Sequence, residues 1–169
     1  MLIQHLLLLG MLISYSLPIY YVYTQFQTDT TLSDIICDET CKYTILFYMG
    51  IMGFFTILYE IQRNDMESIA YISIILVTIY GLLQYGVETN SHYIFAIFCL
   101  FAIFCFMVHH SYLTNSKILF TFTFLNYWVI LAMILFVQND IMICECIYLL
   151  FFATFYFYLH YLSYPMVYK

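Results

Sequence analysis

Between a few short charged islands, this chain carries apolar stretches whose centres contain no Asp, Glu, Lys or Arg. Each stretch approaches the roughly 20 residues that a helix needs to cross about 30 Å of hydrocarbon. Only 8% of the residues are charged and 65% are hydrophobic, against about a quarter charged in a soluble domain. Too little polar surface exists to coat a water-soluble globule. The pattern therefore predicts a polytopic membrane protein. Strands of a membrane barrel would be about ten residues long with alternating polar positions. These runs are longer and apolar all round, so the expected class is all-α.

The islands divide the chain into six expected transmembrane helices in a single domain spanning residues 1–169. The spans are about 2–23, 43–59, 68–86, 92–112, 118–137 and 141–162. The longest outer loop, about 24–42, carries Asp29, Asp34, Asp38, Glu39 and Lys42. Glu60, Arg63, Asp65 and Glu67 close the second span, and Gln138, Asn139 and Asp140 end the fifth. Pro18 and Pro165 sit near helix ends, where neither needs to break a buried hydrogen-bond ladder. The first segment lacks a basic leader and a small-residue cleavage site, so it reads as a retained helix.

An even number of spans puts both termini on one side. The loops on that side hold Arg63, Lys117 and Lys169, while the opposite side holds only Lys42 among four acids. The excess of Lys and Arg marks the cytoplasmic face, so both termini are expected there. The net charge is −6 and no basic run is present. Nucleic-acid binding therefore has no electrostatic footprint, and no polybasic cluster marks an anionic-lipid site.

Leu32-Ser33-Asp34, then Asp38-Glu39-Thr40-Cys41, then a helix ending in Tyr59 together resemble the DRAM family. These damage-regulated autophagy modulators group with FRAG-type and SFK-type membrane proteins. That family is similar in carrying I-S-D and P-E-x-C segments in its first outer loop. Here Leu32 and Asp38 replace the Ile and the Pro, and Ile35, Ile36 and Cys37 stand where Gly-rich residues are usual. Gly81-Leu82-Leu83-Gln84, Glu88, His92 and Ala96 resemble the family's G-x-x-x-x-N-F-Q turn and H-x-x-G-A helix, without the Asn-Phe. Ser111-Tyr112 and Glu145 resemble the close of its fourth helix and its last span. The resemblance implies six helices with cytoplasmic termini and a non-enzymatic regulatory role. Relatives are associated with lysosome and autophagy control, phosphoinositide-kinase scaffolding at the plasma membrane, and GPI-anchor lipid remodelling.

Among residues of chemical interest, Ser33, Asp34, Glu39 and His92 fall on the expected outer side. They read either as a polar cluster that binds a lipid headgroup or as local turns and helix caps. Cys37, Cys41, Cys144 and Cys146 share that side, where an oxidising compartment would permit disulfides in any of several pairings. Zinc bound by these thiols and His92 lacks a specific ligand signature. Cys99 and Cys105 read as packing residues. His109, His110 and His160 are expected near the cytoplasmic end, either as a pH-sensitive group or as rings reaching interfacial water. Their separation from His92 argues against a ceramidase-like metal site.

Asn126 is the strongest polar group at mid-span, and helix-to-helix hydrogen bonding accounts for it. Gly50 and Gly53 suit close helix approach. Trp128 and the tyrosines Tyr156, Tyr158, Tyr161, Tyr164 and Tyr168 suit boundary anchoring or bundle filling. No cofactor or metal is expected. The expected partners are membrane lipids and another membrane protein or a second copy. The leading expectation is a regulatory or scaffolding protein of the endomembrane, lysosome or plasma membrane. The alternatives are a lipid-remodelling enzyme and, weakened by apolar span centres, a transporter or channel.

Overall fold

Hydrocarbon offers no hydrogen-bond partner to a bare peptide group, so a spanning chain must satisfy its backbone internally. The computed structural model does so entirely with helices. It describes residues 2–25, 32–135 and 141–161. Asp29, Gln138, Asn139, Asp140, Tyr164, Pro165, Tyr168, Lys169 and the side chain of Tyr161 lie outside the described residues. Seven helices and no strand occur among those described: α1 Leu2–Gln25, α2 Leu32–Cys37, α3 Glu39–Arg63, α4 Met66–Gln84, α5 Asn90–Thr114, α6 Lys117–Leu135 and α7 Ile141–Tyr161. Five of them, α1, α3, α4, α5 and α6, are long and apolar enough to cross a membrane. The described apolar stretch of α7, Cys144–His160, is shorter.

Two departures from the expected boundaries have physical causes. The outer loop is partly helical: α2 occupies its centre, and α3 begins at Glu39 rather than near Tyr43. Asp38 makes this possible as the N-cap of α3, in extended conformation, accepting the Thr40 N–H at 2.8 Å and the Thr40 hydroxyl. At its other end α3 runs on through Glu60 to Arg63. It stops because Asn64 turns left-handed (φ 59°) and returns its N–H to the Glu60 and Ile61 carbonyls. Asp65 then caps α4 by accepting the Ser68 N–H at 3.0 Å. Pro18 lies within α1, which continues to Gln25.

The chain divides into two compact units, residues 1–99 and 100–169, with the boundary inside α5. In the first unit α1 packs on α3, α3 on α4, and α2 on α1, α3 and α4. A Cβ built on Gly53 would lie 3.0 Å from the Leu76 side chain, so this glycine leaves room for Leu76 of α4 against α3, whereas Gly50 faces open space. Cys41, Ile45 and Leu83 form a buried cluster under Tyr21, Ile36 and Met49. Span hydroxyls bond to their own helix: Ser14 to the Met11 carbonyl at 2.8 Å, Thr56 to Met52 at 2.7 Å and Thr78 to Ile75 at 2.8 Å. Exposed tyrosines gather where α1 and α4 end and α3 and α5 begin: Tyr20, Tyr23, Tyr43, Tyr80, Tyr85 and Tyr93. A band of half-wet rings suits a membrane–water boundary.

In the second unit α6 packs on α7. Phe106, Met107, Tyr148, Phe155, Tyr156 and Leu159 are buried. The Tyr148 hydroxyl donates to the Leu100 carbonyl at 2.8 Å, which lets a phenol sit fully buried in an apolar helix.

Candidate functional site

The best-defined polar site of the first unit forms where α2, the end of α4 and the start of α5 meet. Thr89 opens α5: its hydroxyl accepts the His92 N–H at 3.2 Å, and this fixes the first turn. His92 is thereby held inward with only 2% of its surface exposed. Its Nδ1 lies 3.3 Å from the Tyr85 carbonyl oxygen and 3.7 Å from the Cys37 sulfur. The Cys37 thiol also donates to the Leu82 carbonyl at 3.7 Å. Two side chains and two carbonyls at the end of α4 thus form one chain of contacts. Burial, the dominant influence, pushes the Cys37 thiol pKa up, with Asp34 adding to it and Lys42 opposing it.

Of the expected polar cluster, the structure gives His92 this buried position. Asp34 and Glu39 are exposed and Ser33 is half-buried. The cap shown for α3 belongs to their neighbour Asp38. The Thr40 hydroxyl and then the Thr40 N–H hold the Asp38 carboxyl below its usual value. All six cysteines carry free thiols in this structure. Cys41 is buried in the Ile45–Leu83 cluster. Near the start of α7, Cys144 is half-buried and Cys146 is exposed.

A second buried polar feature lies at the α3–α4 corner. Arg63 donates to Glu60 across one helical turn at 2.7 Å, with side-chain exposures of 1% and 0%. It also reaches Asp65 at 3.2 Å and lies 5.6 Å from the Tyr59 ring centre. Glu60 and Arg63, expected to close the second span, are both buried. Each charge is affordable there because the other neutralises it. An available signal was the Glu-x-x-Arg spacing, which puts both side chains on one face.

In the second unit His110 and His160 are buried among their neighbours. The His110 ring centre is 4.4 Å from that of Phe106, and the His160 ring centre is 4.3 Å from that of Tyr156. Phe106 and Tyr156 are themselves 5.9 Å apart, so the two imidazoles join a continuous aromatic cluster. His109 meets His110 edge to face at 5.2 Å. Ser111 and Thr123 pair across α5 and α6 at 2.9 Å. Asn126 bonds across the same helices, its Nδ2 donating to the Met107 sulfur at 3.0 Å. Trp128 is exposed and lies roughly 16 Å along α6 from its start. Tyr156 fills the core.

Among the described residues, no three His, Cys, Asp or Glu side chains come together as a metal site. No protein-family model, curated protein or solved structure matches this chain. Fold and site define a helical, membrane-embedded protein with several buried polar side chains bonded within or between its helices.

Proposed function

We propose that this chain is a six-span membrane regulator or scaffold of the DRAM type, with α7 as the sixth crossing and both termini cytoplasmic. It acts through contacts and not through turnover, in an endomembrane, the lysosome or the plasma membrane. One observation carries this reading. The helix α2 is docked on α1, α3 and α4, and its Asp34 and the following Asp38 and Glu39 are all exposed. A docked helix with an acidic edge presents a fixed surface, so a partner that binds it avoids the entropy of ordering a loop. Its charge favours a partner with a basic face.

The test is proximity labelling or co-purification from membranes with Asp34→Lys/Glu39→Lys, compared with the native chain. The reading expects specific partners to be lost at unchanged abundance and helicity. The competing lipid-remodelling enzyme makes the opposite prediction. Purified protein would then convert a lipid substrate, and His92→Ala would abolish that conversion while the acidic-edge variant retained it.

A further inference from the structure

We propose that the exposed face of α3 pairs with α3 of a second copy of this chain, with Gly50 at the crossing point. The chain's other span glycines show what such a residue does here. A Cβ built on Gly10 would lie 2.9 Å from the Phe55 ring, one on Gly53 would lie 3.0 Å from Leu76, and one on Gly81 would strike the Phe95 ring. Each of these three is a socket for a large apolar side chain of a neighbouring helix. Gly50 also stands in mid-helix, yet nothing among the described residues comes within 4 Å of the same position. It floors an apolar groove walled by Leu46, Phe47, Ile51, Phe54 and Phe55. Glycine costs stability in a helix interior relative to alanine, and contact with lipid gives no reason to omit the side chain. Contact with another backbone does, because helices in hydrocarbon associate by close packing, which small residues permit.

The pattern around Gly50 selects the occupant. Tyr43, Phe47, Gly50, Phe54, Ile57 and Ile61 follow one another by alternating steps of four and three, the spacing of a coiled-coil seam. All are exposed except the half-buried Ile57. Copies of one chain inserted with one topology present α3 to each other in parallel. In a parallel seam each knob enters a hole made by four residues of the facing helix. Gly50 is a corner of both holes that receive Phe47 and Phe54 of the other copy. Phenylalanine is also what fills the sockets at Gly10 and Gly81. One face thus supplies both socket and knob, as a two-fold symmetric contact requires. The pairing does not depend on the acidic edge at α2, so either reading can fail alone.

The experiment measures energy transfer between donor- and acceptor-tagged copies of the full chain in phosphatidylcholine liposomes, with lipid added stepwise. A photo-crosslinking phenylalanine analogue at Phe47, or at the exposed Val77 of α4 as a control, maps the contact. The proposal expects transfer above random proximity that falls as lipid dilutes the copies. It expects adducts from position 47 on residues 43–61 of a second copy, and none there from position 77. Gly50→Leu should weaken association at least about tenfold, while Val77→Leu leaves it unchanged. Circular dichroism checks that Gly50→Leu keeps its helicity, as its open surroundings allow. Transfer no greater than random overturns the proposal. Adducts from position 47 confined to lipid, or to residues 100–169 of the same chain, overturn it by naming another occupant. Equal association in Gly50→Leu does so too. Since the native chain supplies the transfer and the dilution curve, a variant that fails to fold does not rescue the proposal.

Discussion

Replacing Arg63 by Met should be among the most destabilising single changes in the first unit. Its guanidinium sits 2.7 Å from the Glu60 carboxylate, and both side chains are almost wholly buried. At that distance the gross attraction is about 6 kcal/mol for an effective dielectric of ~20. Desolvation consumes much of it, so the intact pair adds little net stability. Breaking the pair is different, because it strands one buried charge at a cost of about 3–5 kcal/mol. The more exposed Asp65 cannot replace the lost cation, since it carries the same sign as Glu60. Reversible unfolding in mixed micelles, followed by far-UV circular dichroism, measures the effect. Arg63→Met and Glu60→Leu should each cost about 3–5 kcal/mol, while the double variant should recover most of that loss. Single variants within about 0.5 kcal/mol of native, or a double variant equal to the sum of the singles, would refute the reasoning.

Gly53→Leu should cost about 1–3 kcal/mol by overpacking against Leu76, while Gly50→Leu, which meets open space, should stay within about 0.5 kcal/mol; the same unfolding assay reads both. Asp38→Ala should lower the thermal midpoint at neutral pH by removing the α3 cap. Because the folded-state pKa of Asp38 is depressed, its contribution is present above the unfolded value of about 3.9 and is lost as pH falls through the folded value. The difference between native and Asp38→Ala midpoints should therefore shrink on acidification, and a constant difference would count against it. Burial of Cys37 raises its pKa, so maleimide should label it more slowly at neutral pH than it labels glutathione, as peptide mass spectrometry would show.

The spans were legible because hydrocarbon excludes charge, and the charged islands therefore mark most helix ends directly. The corner at Glu60 and Arg63 broke that rule, because two opposite charges one turn apart can be buried as a neutral unit. The short α2 was hidden in a polar loop: six residues carry too little periodicity to read. The sequence puts His92 and Cys37 on one side and offers Cys37 several partners, without marking their direct contact. That contact depends on how α2 folds back onto α4 and α5, which no local pattern encodes. His110 and His160 are far apart in sequence. Only the packing of the second unit shows that Phe106 and Tyr156 link them.

The central claim is that the acidic end of the first unit and its Glu60–Arg63 corner lie on opposite sides of a membrane. Single cysteines at the exposed positions Asp34, Glu67 and Glu88, in a background without native cysteines, can be probed on sealed, oriented vesicles with an impermeant maleimide. The account predicts that positions 34 and 88 label from one side and position 67 only after the membrane is opened. Labelling of all three from the same side would contradict it.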